Sequence, residues 1–265
     1  MRKATGLTAD QAAEQLGFSR SKISRLENGR RGASKADILR LCELYQVDEE
    51  QCLRLTELAA EGKQRVWWQT LSLQYSDYVG LEAAAASISD YGLAIVPGLL
   101  QTPGYARSIL SAAVPALEPR IVEQRVRARL ARQQLLFSSE GPRFDAVLDE
   151  SVLHRVVGGP VIMLDQLKRL LQMSDLPAVT IRVVPYDAGS VPAGVNKFII
   201  LQFAEPDTAT VVLIEELTSH RCLEQPDQVL TYSATFRALA RLSADPDASR
   251  EMILTKITSY ESKIR

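Results

Sequence analysis

Apolar residues recur at helical spacing through residues 7–61, and the period changes to short β-rich runs from residue 143 onward. Over 7–16 the pattern sets Ala12, Ala13 and Leu16 on one face. Thr8 precedes them as N-cap with Gln11 three residues on, the capping-box arrangement. Gly17 breaks this helix and Ser19 opens the next, over 18–31. There Ile23 and Leu26 lie three apart on an inward face, while Arg20, Ser21, Lys22, Ser24 and Arg25 fall on the others. Asn28-Gly29 supplies a C-terminal stop. Two further helical patterns follow: 34–45, with Ile38, Leu41, Cys42 and Tyr45 on one face, and 48–61, with Cys52, Leu55, Leu58 and Ala59.

Beyond this all-α unit, 63–80 reads as a linker containing the tandem Trp67-Trp68. The pattern then predicts helices over 81–91 and 104–113 around a Pro97-Gly98 turn, and a long helix over 118–137. Strands are expected at 144–149, 180–185, 197–203 and 210–215. Helices over 150–156 and 161–173 lie between them, and helices over 225–242 and 247–264 close the chain. The expected fold is α plus α/β. An all-α helix-turn-helix domain (1–62) precedes a mixed α/β domain (81–265) with about four strands.

Charge changes this picture in one place. The net charge of the 265 residues is −1, yet residues 18–35 hold six cations against Glu27 alone, so this stretch carries +5 and the remainder −6. A short helix that hides two aliphatics and shows cations and hydroxyls suits the major groove of double-stranded DNA, where an arginine can be bidentate to guanine. Other functions find little support. Cys42, Cys52 and Cys222 are too scattered for a disulfide framework. No apolar run approaches a membrane span, and the first ten residues lack the apolar core of a signal peptide, so a cytoplasmic protein is expected. No metal-ligand spacing, nucleophile elbow, phosphate loop or dinucleotide fingerprint occurs, so no catalytic residue, metal or cofactor is assigned. His154 follows Glu150 by one helical turn, a spacing shared by acid–base pairs and by commoner surface contacts. Arg120, Arg125, Arg127, Arg129 and Arg132 stud the long helix and read as a solvated face, or one that meets acidic partners, ahead of a second nucleic-acid surface. The aromatics Trp67, Trp68, Tyr78, Tyr91 and Tyr105, with Gln101, form a candidate ligand pocket, set against plain core packing.

GLTADQAAEQLGFSRSKISRLENGRR resembles the helix-turn-helix of phage-repressor-like, xenobiotic-response-element regulators, through Leu7, Thr8, Ala13, Gly17, Ser19, Ile23, Ser24, Glu27, Asn28, Gly29 and Arg31. The resemblance implies that Arg20, Ser21 and Arg25 face base edges. Lys22, Asn28 and Arg30 lie nearer the phosphates, with Ser24 and Arg31 in the same DNA-binding set. It also implies a homodimer on palindromic half-sites. Two positions depart from the family: Ala9 stands where glutamine is common, and Met1–Thr5 is a short lead, so the first helix is expected to be cut short. Further on, YVGLEAAAASISDY and IVPGLLQTPGYAR resemble the Scr1-type domain of unknown function (DUF5753) of actinobacterial regulators. The implied protein is a transcriptional regulator whose C-terminal domain senses a small ligand or a small partner protein. The alternative is a regulator relative that has lost DNA binding and uses its C-terminal pocket to bind or convert a small molecule.

Overall fold

The computed structural model describes residues 2–27, 33–61, 76–192, 196–205, 208–215 and 220–264. The chain divides into two compact units, Met1–Ser72 and Leu73–Arg265.

In the first unit a single 3-10 turn, Arg2–Thr5, leads into α1 (Ala9–Leu16), α2 (Arg20–Glu27), α3 (Lys35–Leu44) and α4 (Glu49–Glu61). The cap of α1 is reciprocal: the Gln11 amide donates to Thr8 Oγ1, and the Thr8 amide donates to Gln11 Oε1. Gly17 ends the helix in the left-handed region at φ 61°, which a residue without Cβ adopts at little cost. The Ser19 hydroxyl accepts from the Lys22 amide and so caps α2 two residues later. Ala13, Leu16 and Ile23 form the core of the α1–α2 pair, with Phe18, Leu41 and Leu44 against it. Two small alanines, Ala12 and Ala13, both buried, allow that close approach.

The second unit is built on one six-stranded sheet in the order β3-β2-β1-β4-β5-β6. The strands are β1 (Ser87–Gly92), β2 (Arg143–Asp149), β3 (Val179–Val184), β4 (Phe198–Gln202), β5 (Val211–Glu215) and β6 (His220–Leu223). β1, β2 and β3 run parallel, joined through helices, whereas β4, β5 and β6 form an antiparallel meander that joins β1 through β4. The helices are α5 (Ser76–Ala84), α6 (Pro103–Ser111), α7 (Pro119–Arg132), α8 (Ser151–His154), α9 (Pro160–Ser174), α10 (Pro226–Leu242) and α11 (Pro246–Ile264).

Strand alternation assigns the two faces. Tyr91, Val147, Val184, Phe198, Ile200, Val212 and Ile214 pack against Phe236 and Leu239 of α10. The other face carries Ile88 and Asp90 of β1, Phe144, Ala146 and Leu148 of β2, and Ile199 and Leu201 of β4, all buried. The free edge of β3 is covered where α10 meets α11: Val183 donates to Ser249 Oγ, and its carbonyl accepts from the Ala244 amide. Gly92 lets the chain pass closely at the end of β1: a Cβ there would lie 3.0–3.1 Å from Leu148, Pro97 and the Ile95 carbonyl, tighter than ordinary packing.

The sheet corrects the sequence reading in two places. Six strands are present where about four are expected. The helix expected over 81–91 ends at Ala84, and β1 follows it, because the alanine run gives way to the alternation Ser87-Ile88-Ser89-Asp90-Tyr91. The polar hairpin strand β6, at the sheet edge, is the other addition. The four expected strands occur within a residue or so of their sequence bounds. α5 begins at Ser76, inside the span read as linker.

Candidate functional site

Two sites emerge, one in each unit. In the first, α2 follows α1 across Gly17 with Ile23 fully buried, so the opposite side of α2 is open. Arg20, Ser21 and Ser24 are exposed on it. Arg20 Nε lies 3.3 Å from Asp10 Oδ1, with both side chains largely in solvent. Ser19 and Ser21 hydroxyls are 3.1 Å apart. Lys22 behaves differently. Its ammonium sits 2.6 Å from Asp37 of α3 and 3.4 Å from the centroid of the Phe18 ring, which also stacks under the Arg40 guanidinium at 4.9 Å. Asp37 also accepts from the Ser34 amide as part of the α3 capping box. The hydrogen bond from Lys22, with those from Ser34, outweighs burial and holds the Asp37 carboxyl down at about 2. The Arg40 guanidinium donates to the Leu16 carbonyl at the end of α1. Lys22 and Arg40 thus tie α1, α2 and α3 together. Arg25 belongs to α2, but its side chain, like Asn28, Arg30 and Arg31 of the expected DNA-binding set, lies outside the described residues.

In the second unit α7 presents Arg125, Arg129 and Arg132 on one side, four and three residues apart. Arg132 is pinned by Glu82 of α5: Nε donates to Oε1 at 2.7 Å and Nη2 to Oε2 at 2.6 Å. The Tyr78 hydroxyl donates to the same carboxylate at 2.5 Å, and its ring lies 5.1 Å from the Arg132 guanidinium carbon. Glu82 is fully buried. Burial alone would lower the Arg132 pKa, but Glu82 overrides it and raises it. Burial, then the Glu82 charge, pushes the Tyr78 phenol well up.

Among the described residues Arg129 makes no such carboxylate pair. Its Nη1 donates to Gln101 Oε1 at 2.7 Å, a neutral acceptor. Burial and the neighbouring Arg132 bring its pKa down to about 10. Sheet parity brings Asp90, Lys197 and Glu215 to the same face. Lys197 and Glu215 form an ion pair there. Burial raises the Glu215 carboxyl, but Lys197, Arg129 and Arg132 together outweigh it and lower it. Asp90 is buried, one of its carboxyl oxygens has no hydrogen-bond partner among the described residues, and burial pushes its pKa up to about 7.

A cavity of about 250 Å³ opens between α5, α6 and α7, lined by Tyr78, Val79, Ile95, Ile109, Arg125 and Arg129 among others. The neighbouring segment 97–102, which Arg129 reaches through Gln101, is held by three buried glutamines. Gln101 donates to the Val96 carbonyl, Gln133 to the carbonyls of Gly98 and Gln101, and Gln166 donates to the Leu100 carbonyl while accepting from the Thr102 amide.

Of the expected pocket residues, the structure brings Tyr78 to the cavity and places Gln101 directly behind Arg129. Tyr91 is not with them. It points to the opposite face of the sheet, into the α10 core, with its hydroxyl buried and unpartnered among the described residues. Tyr105 is fully buried, and its hydroxyl accepts from the Val96 amide. Trp67 and Trp68 lie outside the described residues. The sequence reading leaves Arg125 and Arg129 out of the pocket, although their spacing with Arg132 on one helix side is readable. His154 makes the i, i+4 contact with Glu150 at 2.9 Å, and its other ring nitrogen lies 3.0 Å from Lys256. Among the described residues no group of three His, Cys, Asp or Glu side chains is placed to hold a metal ion, and no helix is long and apolar enough to cross a membrane.

Neither the curated proteins nor the solved structures contain a match to this chain. Two family models do match: a helix-turn-helix domain over residues 1–55, and the domain of unknown function DUF5753 over residues 75–255. With the α1–Gly17–α2 motif in the first unit and the DUF5753 match spanning most of the second, the chain belongs to the DUF5753 family and carries a helix-turn-helix domain ahead of that family's domain.

Proposed function

We propose that this protein is a sequence-specific, DNA-binding transcriptional regulator of the cytoplasm whose C-terminal unit senses a small ligand or a partner protein. One observation carries the reading. α2 is locked onto α1 and α3 by Ile23, Lys22 and Asp37, while Arg20, Ser21 and Ser24 stay exposed on its outer side. In this reading Arg20, Ser21 and Arg25 meet base edges, and Ser24, Asn28, Arg30 and Arg31 meet bases or phosphates around them. Lys22, engaged by Asp37, sets the angle of the helix as much as it serves a phosphate. A homodimer would present two such helices to half-sites one turn of DNA apart.

The full-length protein should retard its own upstream DNA in a mobility-shift assay, with affinity that falls steeply as salt rises. Arg25→Ala should weaken that binding sharply. Absence of a specific complex on any fragment of the flanking DNA would sink the reading. The arginine-lined cavity also favours a second reading, in which the chain binds or converts a small molecule and no longer binds DNA. The same assay separates the two.

A further inference from the structure

We propose that the cavity between α5, α6 and α7 binds a small organic monoanion, a carboxylate on an apolar body, with Arg129 and Arg125 receiving the carboxylate. The proposal deepens the sensing role given above to this unit, and rests on that reading for its regulatory meaning alone.

The unpaired positive charge on the cavity wall points to an anion. Of the three arginines of α7 that line it, Arg132 is saturated by both oxygens of Glu82. Arg129 donates to the neutral Gln101 amide, and Arg125 makes no hydrogen bond or ion pair among the described residues. The carboxylate among the lining residues, Glu215, makes its ion pair with Lys197 and acts on Arg129 only through its field. A half-buried guanidinium without a carboxylate is costly, and a bound anion removes that cost. The desolvated position of Arg129 strengthens any charge-assisted hydrogen bond made there.

The rest of the lining selects the class. Val79, Ile95, Ile109, Leu110 and Ala128 are apolar and suit a hydrocarbon body. The volume of about 250 Å³ is below the range of about 300–1,000 Å³ for drug-sized pockets, so the ligand is small. The planar fork of arginine matches a planar carboxylate in bidentate fashion. A dianion such as phosphate would bring its second charge towards Glu215, the carboxylate in the same lining.

The test is isothermal titration of the full-length protein with phenylacetate, benzoate and isovalerate, set against benzyl alcohol and inorganic phosphate. We expect saturable binding of at least one carboxylate, with benzyl alcohol and phosphate much weaker. In Arg129→Met the dissociation constant should rise about ten- to a hundredfold, the loss of one charged hydrogen-bonded contact. Arg127→Met, on the exposed side of the same helix, should leave it unchanged. Ile109→Phe should abolish binding by filling the cavity with Arg129 intact. Melting curves without ligand check that both cavity variants remain folded. The proposal is overturned by no saturable binding of any of the three carboxylates, by equal binding of benzyl alcohol or phosphate, or by undiminished binding to a folded Arg129→Met. Mobility shifts with and without the bound carboxylate test the sensing role separately. DNA binding that ignores a carboxylate shown to bind defeats that role and leaves the anion site standing.

Discussion

Asp37 of α3 accepts a 2.6 Å hydrogen bond from Lys22 of α2 while one of its oxygens also caps its own helix at Ser34. One carboxylate therefore fixes both the start of α3 and the orientation of the helix offered to DNA. Asp37→Asn should weaken the N-terminal unit by about 1 kcal/mol, the usual value of a helix cap, and should lower DNA affinity without removing any group that touches bases. Chemical denaturation of the variant, followed by a mobility shift, measures both effects. Because the Asp37 pKa is lowered to about 2 in the folded chain from 3.8, its contribution is fully present above pH 4 and lost as pH falls towards 2. The unfolding midpoint of the Asn variant should therefore converge on that of the parent in this window.

Asp90 has the opposite sign. Its folded pKa is raised to about 7 from 3.8, chiefly by burial, with Lys197, Glu215, Glu82 and Arg132 as the charges around it. The folded chain then holds a proton that the unfolded chain releases between these values, so stability falls as pH rises from about 4 to 7 and levels off above. Asp90→Asn should flatten this slope and stabilise the protein at pH 8 by up to about 4 kcal/mol, since each tenfold change in an acid dissociation constant corresponds to about 1.4 kcal/mol. Thermal melts across pH 5 to 8, with and without the substitution, read the difference directly.

The Glu82–Arg132 pair lies beneath the cavity with the carboxylate fully buried. Glu82→Gln leaves an uncompensated guanidinium and should cost about 3–5 kcal/mol, whereas Glu82→Met with Arg132→Met should recover most of that loss. A double-mutant cycle in urea gives both values. Independent, additive losses would show that the pair is not coupled as the geometry requires.

If the exposed Arg20 on the outer side of α2 reads bases, as proposed, its replacement by alanine should lower affinity for specific DNA more than for random DNA. An Arg30→Ala change, if Arg30 serves a phosphate, should weaken both alike and reduce the salt slope by about one. Titrations at several salt concentrations distinguish the two outcomes.

The legible parts of this protein are those whose causes are local. Thr8, Gln11 and Gly17 declare the first helix and its end within ten residues, and the structure follows them closely. The strands at Phe144, Thr180, Phe198 and Val211 are legible because they are apolar runs between turn residues. β1 is hidden by its buried Asp90 and by the serines beside it, so the alanine run before it dominates the pattern. The cavity is hidden for a different reason. Arg132 looks solvated until Glu82, fifty residues earlier, is brought against it, and only then does Arg129 stand out as the arginine with a neutral partner. Tyr91 and Tyr105 mislead because an aromatic residue reads the same in a core as in a pocket, and strand parity alone sends Tyr91 to the other face.

The place of β1 in the sheet has a consequence for synthesis. β1 sits at the centre, parallel to β2 on one side and antiparallel to β4 on the other, and β4 begins only at Phe198. On a growing chain the parallel half can assemble while the Tyr91 edge still lacks a partner. That half is an adhesive edge strand for as long as the ribosome takes to add the meander. A truncation anywhere between Val184 and Gln202 therefore does more than remove three strands: it leaves the middle of the sheet as its border, and such fragments should aggregate where the whole chain does not.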